Sequence, residues 1–171
     1  MELRSTEWGQ NEIELMANSS VTFFWQPEIL RRTSDQLEEL GYEVKILDAS
    51  HGWHRFRLQI SDLLNWESQF GYAAWTGVLP ALNDGLGGYP FPQSGKAALV
   101  VTGFQELVRT DERSSLSVLD LLEIHSRNFL LFGQRLIVLV QTDDNRFHCP
   151  KIGACTPGWN ESERMNGSRG L

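Results

Sequence analysis

Short apolar runs along the chain alternate with longer segments in which apolar residues return every three or four positions, so strands and helices are predicted to take turns. VTFFW at 21–25 is β-branched and aromatic and predicts a strand. In QPEILRRTSDQLEELG, Pro27 suits a first helical position and Glu28 the first turn. Ile29, Leu30, Leu37 and Leu40 form an apolar stripe, and Gly41 stops the helix. At 42–47, Tyr42, Val44 and Ile46 alternate with Glu43 and Lys45, which predicts a second strand. A strand, a helix and a strand separated by one glycine predict a βαβ unit with parallel pairing and a right-handed crossover.

Asp48 and Ser50 are placed to cap a helix predicted over 51–66, where Trp53, Phe56, Ile60, Leu63 and Leu64 recur at helical spacing. Residues 70–86, FGYAAWTGVLPALNDGL, start as an aromatic-glycine loop. They end as a short helix with Leu79, Leu82 and Leu86 on one face, Pro80 in its first turn, and Gly85, Gly87 and Gly88 to stop it. YPFPQSG at 89–95 reads as a loop, and AALVV at 97–101 as a strand covered on both faces. Phe104, Leu107 and Val108 predict a short helical turn, and DERSS from Asp111 a solvated loop. Residues 115–132 predict a long helix carrying Leu116, Leu119, Ile124 and Phe129 and stopped by Gly133; LIVLV at 136–140 predicts another buried strand.

The order β-α-β-α-α-β-α-β predicts a small α/β fold of two or three layers, with a mostly parallel sheet of three or four strands and helical crossovers. This domain covers 21–142. Residues 1–20 are polar and mixed and read as an irregular arm, and 143–171, rich in Asp, Asn, Gly, Ser and Arg, as an extended, partly disordered tail.

Composition narrows the function. At 171 residues and 41% hydrophobic, the chain has material for one core. A formal net charge of −7 and a pI near 5.1 exclude a surface that grips nucleic acid by neutralising phosphates. No run approaches the roughly 18 apolar residues of a spanning helix, and the first twenty residues carry acids where a signal peptide would start basic. The expectation is a cytoplasmic protein without a membrane partner. From Leu58 to Gly95 there is no Lys or Arg, while Asp62, Glu67 and Asp84 are present. One contiguous stretch is therefore charged only negatively.

Sequence signatures of enzymes are missing: no GxGxxG after a strand, no GxxxxGK[ST], no GxSxG and no HExxH. No enzymatic activity and no cofactor are expected. His51, His54, His125 and His148 are scattered and read as surface or capping residues, because a titrating histidine without an orienting partner does little chemistry. Asp143 and Asp144 follow a strand end, where α/β enzymes keep catalytic groups, yet no second group accompanies them and a solvated turn is the reading. Cys149 and Cys155, with His148 beside them, invite a metal site; a structural zinc site takes four ligands and the remaining ones are not found at a usual spacing. Two free thiols and no metal are expected.

Several residues recur in a known order. These are the pair Phe70-Gly71, the pattern L-x-A-L-x-D-x-L met by Leu79, Ala81, Leu82, Asp84 and Leu86, the strand at 97–101 running into Phe104-Gln105-Glu106, the helix start Ser117-Val118-Leu119, and the final strand at 136–140. Over about 42–142 the chain thereby resembles the barstar family, small acidic intracellular inhibitors of barnase-type ribonucleases. Residues 21–41 resemble the strand-helix unit that precedes the shared core in longer members.

The resemblance implies inhibition without chemistry. An acidic helix and the loop before it plug the active site of a basic ribonuclease, with a carboxylate placed where the RNA phosphate would lie. The position carried over is Asp84, and the implied partner-binding set is Asp84 with Tyr72, Trp75, Gly77, Asn83 and Gly71. The implied partner is a basic secreted ribonuclease or ribonuclease toxin, with no direct nucleic-acid contact and a monomeric free chain. Three departures stand out: Pro80 replaces the family's second acid one turn earlier, Gly85 replaces the usual cysteine, and YAAWTGV lengthens the loop. Tyr72 and Trp75 have two readings, stacking on a base-recognition pocket of the partner or anchoring the loop on the core. The alternative function is a scaffold of the same type whose partner is not a ribonuclease; a small enzyme of flavodoxin-like layout is a third.

Overall fold

The computed structural model describes residues 10–171. Helices and strands alternate along the chain and collapse onto one sheet because its central strands are apolar on both faces. In β3 (Lys96–Thr102) and β4 (Arg135–Gln141), residues of both parities are buried, which only a sheet covered on two sides permits. The sheet has five strands, all parallel, in the order β2-β3-β4-β1-β5, with β1 at Val21–Phe24, β2 at Glu43–Asp48 and β5 at Gly158–Trp159.

Three layers result. On one face, Phe24, Ala98, Val100, Ile137 and Leu139 pack against Leu30 and Leu37 of α2 (Pro27–Glu39), with Leu15 and Met16 of α1 (Gln10–Met16) beside them. On the other face Val21, Phe23, Leu99, Val101, Val138 and Val140 meet α3 (Trp53–Leu63), α4 (Trp66–Phe70), α5 (Leu79–Gly87) and α6 (Phe104–Leu130).

Several expectations need correction. β1 and β2 are parallel but do not pair: β3 and β4 lie between them, so the connection through α2 crosses two strands. The sheet has five strands instead of three or four, because the supposed tail supplies β5. The segment expected to be an irregular arm contains α1, and its Glu12 is 1% exposed, held by the Tyr42 hydroxyl at 2.6 Å and Arg135 Nη1 at 2.8 Å. The rest of that expectation, residues 1–9, lies outside the described residues.

The helix expected over 51–66 is shorter. A 3-10 turn at Ala49–His51 precedes it, and Asn65 in the left-handed region (φ 50°, ψ 50°) separates α3 from α4. The solvated loop expected from Asp111 is a kink within α6. Only Asp111 leaves helical geometry (φ −155°, ψ 88°), and its carboxylate accepts the Ser114 N–H at 3.0 Å, capping the helix that follows.

The tail is ordered packing. Phe147 sets its ring 5.0 Å from that of Phe23, Cys149 and Ile152 join the core, and Arg169 stacks 4.6 Å over Trp159. Glu163 is fully buried and accepts the N–H groups of Trp25 at 2.9 Å and Gln26 at 2.8 Å. It thus caps the start of α2, whose own N-cap residue Gln26 makes no side-chain cap bond. Among the described residues no helix is long and apolar enough to cross a membrane.

Candidate functional site

The candidate site is the loop at 71–78 with the outer face of α5. Its foundation is Trp66, 1% exposed, over which Phe70 (4.5 Å between centroids) and Tyr72 (6.1 Å, edge-on) gather. α5 presses onto the same ring. A Cβ at Gly85 would come within 2.6 Å of Trp66 Cζ3, so the glycine is what lets the helix approach. We expect Gly85→Ala to destabilise the fold by about 1–3 kcal/mol through overpacking, although alanine is the better helix former. Urea denaturation measures this, and a stabilised variant would contradict the close approach.

Leu82 and Leu86 are buried beneath α5 and Leu79 partly so, leaving Pro80, Asn83, Asp84 and Gly87 on the outer face. Asp84 is exposed and is the only charged residue of the helix. Asn83 Oδ1 lies 2.9 Å from Nε2 of His125, which reaches across from α6.

The loop is pinned to α3. Ser61 Oγ accepts the Trp75 backbone N–H at 2.8 Å and donates to the Arg57 carbonyl at 2.7 Å. Arg57 Nη1 donates to the Thr76 carbonyl at 2.8 Å, and Trp75 Nε1 to the Val78 carbonyl at 2.8 Å. Gly71 ends α4 in the left-handed region (φ 76°), its N–H bonding the Glu67 carbonyl at 2.9 Å. Gly77 turns the chain at φ 102° over the Arg57 guanidinium.

Trp75 is 2% exposed, so the stacking reading fails for it: its ring belongs to the core and anchors the loop. Tyr72 is 45% exposed and Val78 55%, which leaves these two as the apolar surface of the loop. Gly71, Gly77, Asn83 and Asp84 are also exposed. Five of the six predicted residues are thus exposed, and the sixth, Trp75, is buried in the core.

The charges of this stretch are acidic: Asp62, Glu67 and Asp84 are exposed, Asp62 lines a groove with Lys45 and Glu43 of β2, and the nearest preceding base in sequence, Arg57, is committed to the loop backbone. Sequence reasoning missed Arg57, Ser61, Trp66 and His125 as supports. A polar Ser61 amid the apolar positions of α3 was the available signal; nothing local marked His125.

The crevice beyond the carboxyl ends of the strands, where open α/β sheets take ligands, is occupied by the chain's own groups. The Gly103 N–H bonds Gln141 Oε1 at 2.9 Å, and a Cβ at Gly103 would sit 2.8 Å from Ser50. Asp143 is exposed and takes up Gln105 (2.7 Å, with a return bond from its own N–H at 3.0 Å) and Gln141 (3.1 Å). Glu163 fills the start of α2. Among the described residues no group of three or more His, Cys, Asp or Glu is arranged for a metal. Cys149 and Cys155 are free and buried; burial pushes the Cys149 thiol up to about 12 and raises Cys155 as well, so both are protonated at neutral pH.

Comparison of the chain with protein-family models, with curated proteins and with solved structures returns no match.

Proposed function

We propose that this chain is a barstar-like protein inhibitor that docks the loop at 71–78 and the outer face of α5 onto a basic ribonuclease, with Asp84 as the charge that meets the enzyme's cationic site. The observation that carries the reading is Asp84 itself: the single charge of α5, exposed, on the helix that follows a loop already held in shape by Ser61, Arg57 and Trp75. A preformed loop loses little conformational entropy on docking, and Tyr72 is the residue type that dominates such contacts. The acidic surface supports fast association with a cationic partner. Because Asp84 faces solvent, its removal leaves the fold intact and reports on binding alone.

The test is titration of a basic secreted ribonuclease with purified chain. Stoichiometric suppression is expected, and Asp84→Ala is expected to weaken it by at least about 2 kcal/mol, roughly thirtyfold in Kd, with an unchanged melting temperature. An Asp84→Ala variant that binds as tightly as the parent sinks the assignment of that residue.

One observation favours a second reading, a binding module for a partner that is not a nuclease: Pro80 stands exposed where the resemblance places a second acid. Affinity capture that yields a defined partner without nuclease activity, retained by the parent and lost by Asp84→Ala, would select that reading.

A further inference from the structure

The support for Asn83 comes from a titratable residue. His125 is half-buried between α6 and α5, with Nε2 2.9 Å from Asn83 Oδ1, its ring 5.8 Å from that of Phe129, and its Cε1 3.8 Å from where a Cβ of Gly87 would lie. The ring thus lies against the last two turns of α5, the turns that carry Asp84. From α5 it meets Asn83 and Gly87, neither titratable, with Asp84 the nearest charge in sequence; from α6 it meets Phe129. The flanking charges of α6, Glu123 and Arg127, are bound to each other at 2.8 Å. Among the described residues His125 forms no ion pair. A proton added to this ring therefore brings a full positive charge with no carboxylate bound to it.

We propose that His125 makes docking at the α5 face proton-sensitive: with the imidazole neutral, Asp84 sets the charge of that face, and with it protonated a positive charge against Asn83 offsets Asp84 and loosens a cationic partner. This rests on the reading of α5 as the face that meets a cationic partner. Burial holds the His125 pKa below the ordinary histidine value, the bond to Asn83 opposing this, so the ring is neutral at pH 7. The sign follows. A cationic partner depresses the pKa of a neighbouring imidazole further, so the complex binds fewer protons than the free chain and affinity falls as pH falls.

Two measurements test it. In an NMR pH titration of the parent chain, the backbone amides of Asn83, Asp84 and Gly87 should shift with the midpoint of the His125 ring. In His125→Gln, which keeps an N–H for Asn83 and cannot titrate, that shift should vanish. Amides that stay still while the ring titrates overturn the coupling, and this part needs only the parent chain. In the second measurement, the Kd for a ribonuclease that the chain inhibits at neutral pH should rise about two- to fourfold more between about pH 7.5 and 5.5 for the parent than for His125→Gln, the size proton linkage allows for one histidine whose pKa lies below its ordinary value. Equal pH dependence in the two proteins overturns the proposal. If no ribonuclease binds at any pH, the inhibitor reading has failed, and the amide titration alone decides the role of His125.

Discussion

Trp75→Ala is expected to lower the unfolding free energy by about 3–5 kcal/mol, the cost of truncating a buried tryptophan. Its indole is 2% exposed, and it closes the loop internally through the Val78 carbonyl while its backbone hangs from Ser61. Truncation opens a cavity against the core and frees the segment that carries Tyr72 and Val78. Tyr72→Ala, removing a ring that is 45% exposed, should cost less than about 1 kcal/mol. Urea denaturation of the two variants separates anchor from surface. Should both cost the same, the loop is not fastened by Trp75, and the preformed docking surface loses its main support. Binding measured on the same pair should show the reverse origin: lost order for Trp75→Ala and lost contact for Tyr72→Ala.

A change of similar size is expected at Glu123. Its carboxylate is fully buried and accepts Ser19 Oγ at 2.7 Å, Ser20 N at 2.9 Å, Ser20 Oγ at 2.6 Å and Arg127 Nε at 2.8 Å. It therefore fixes the chain where it enters β1, and Arg127 extends the contact to Cys155 of the tail. Glu123→Ala leaves these donors without an acceptor and should cost about 3–5 kcal/mol. Glu123→Gln keeps an acceptor for the serines and should cost less. Burial alone would raise the Glu123 pKa, but the hydrogen bonds from Ser20, Ser19 and Arg127 outweigh it and hold the carboxyl below its ordinary value. A carboxyl depressed in the folded state stabilises the fold above the ordinary glutamate pKa of about 4.3, and that contribution is lost as pH falls through the lower folded value. Melting temperatures measured between about pH 6 and 3 should fall more steeply for the parent than for Glu123→Gln; parallel curves would show that the carboxylate is not what holds β1.

These two residues also mark how far the chain could be read locally. Trp75 and Tyr72 sit three positions apart in the same aromatic loop, and no periodicity separates them. Which ring goes inside depends on Ser61 and Arg57, presented by a helix turned toward the loop only after folding. Glu123 lies within the predicted long helix, and beside its local partner Arg127 its serine partners stand 103 and 104 positions earlier. The kink at Asp111 was legible as polar sequence but not as a cap, since DERSS suits a loop as well as a helix start.

By itself the sequence determined the alternation of strands and helices, the double burial of β3 and β4, the amphipathic faces of α2 and α5, and the acidic stretch that carries Asp84. Each follows from the spacing of apolar residues or from charge, and both act over a few positions. Only the tertiary structure decided the strand order β2-β3-β4-β1-β5, the docking of the segment after Gln141, the seating of Trp75 in the core and the contact of His125 with Asn83. Those depend on groups far apart in the chain meeting with the right geometry. Glu163 capping α2 from 137 residues away is the plainest case: an acid in a polar stretch becomes fully buried because its carboxylate accepts two N–H groups at a distant helix start.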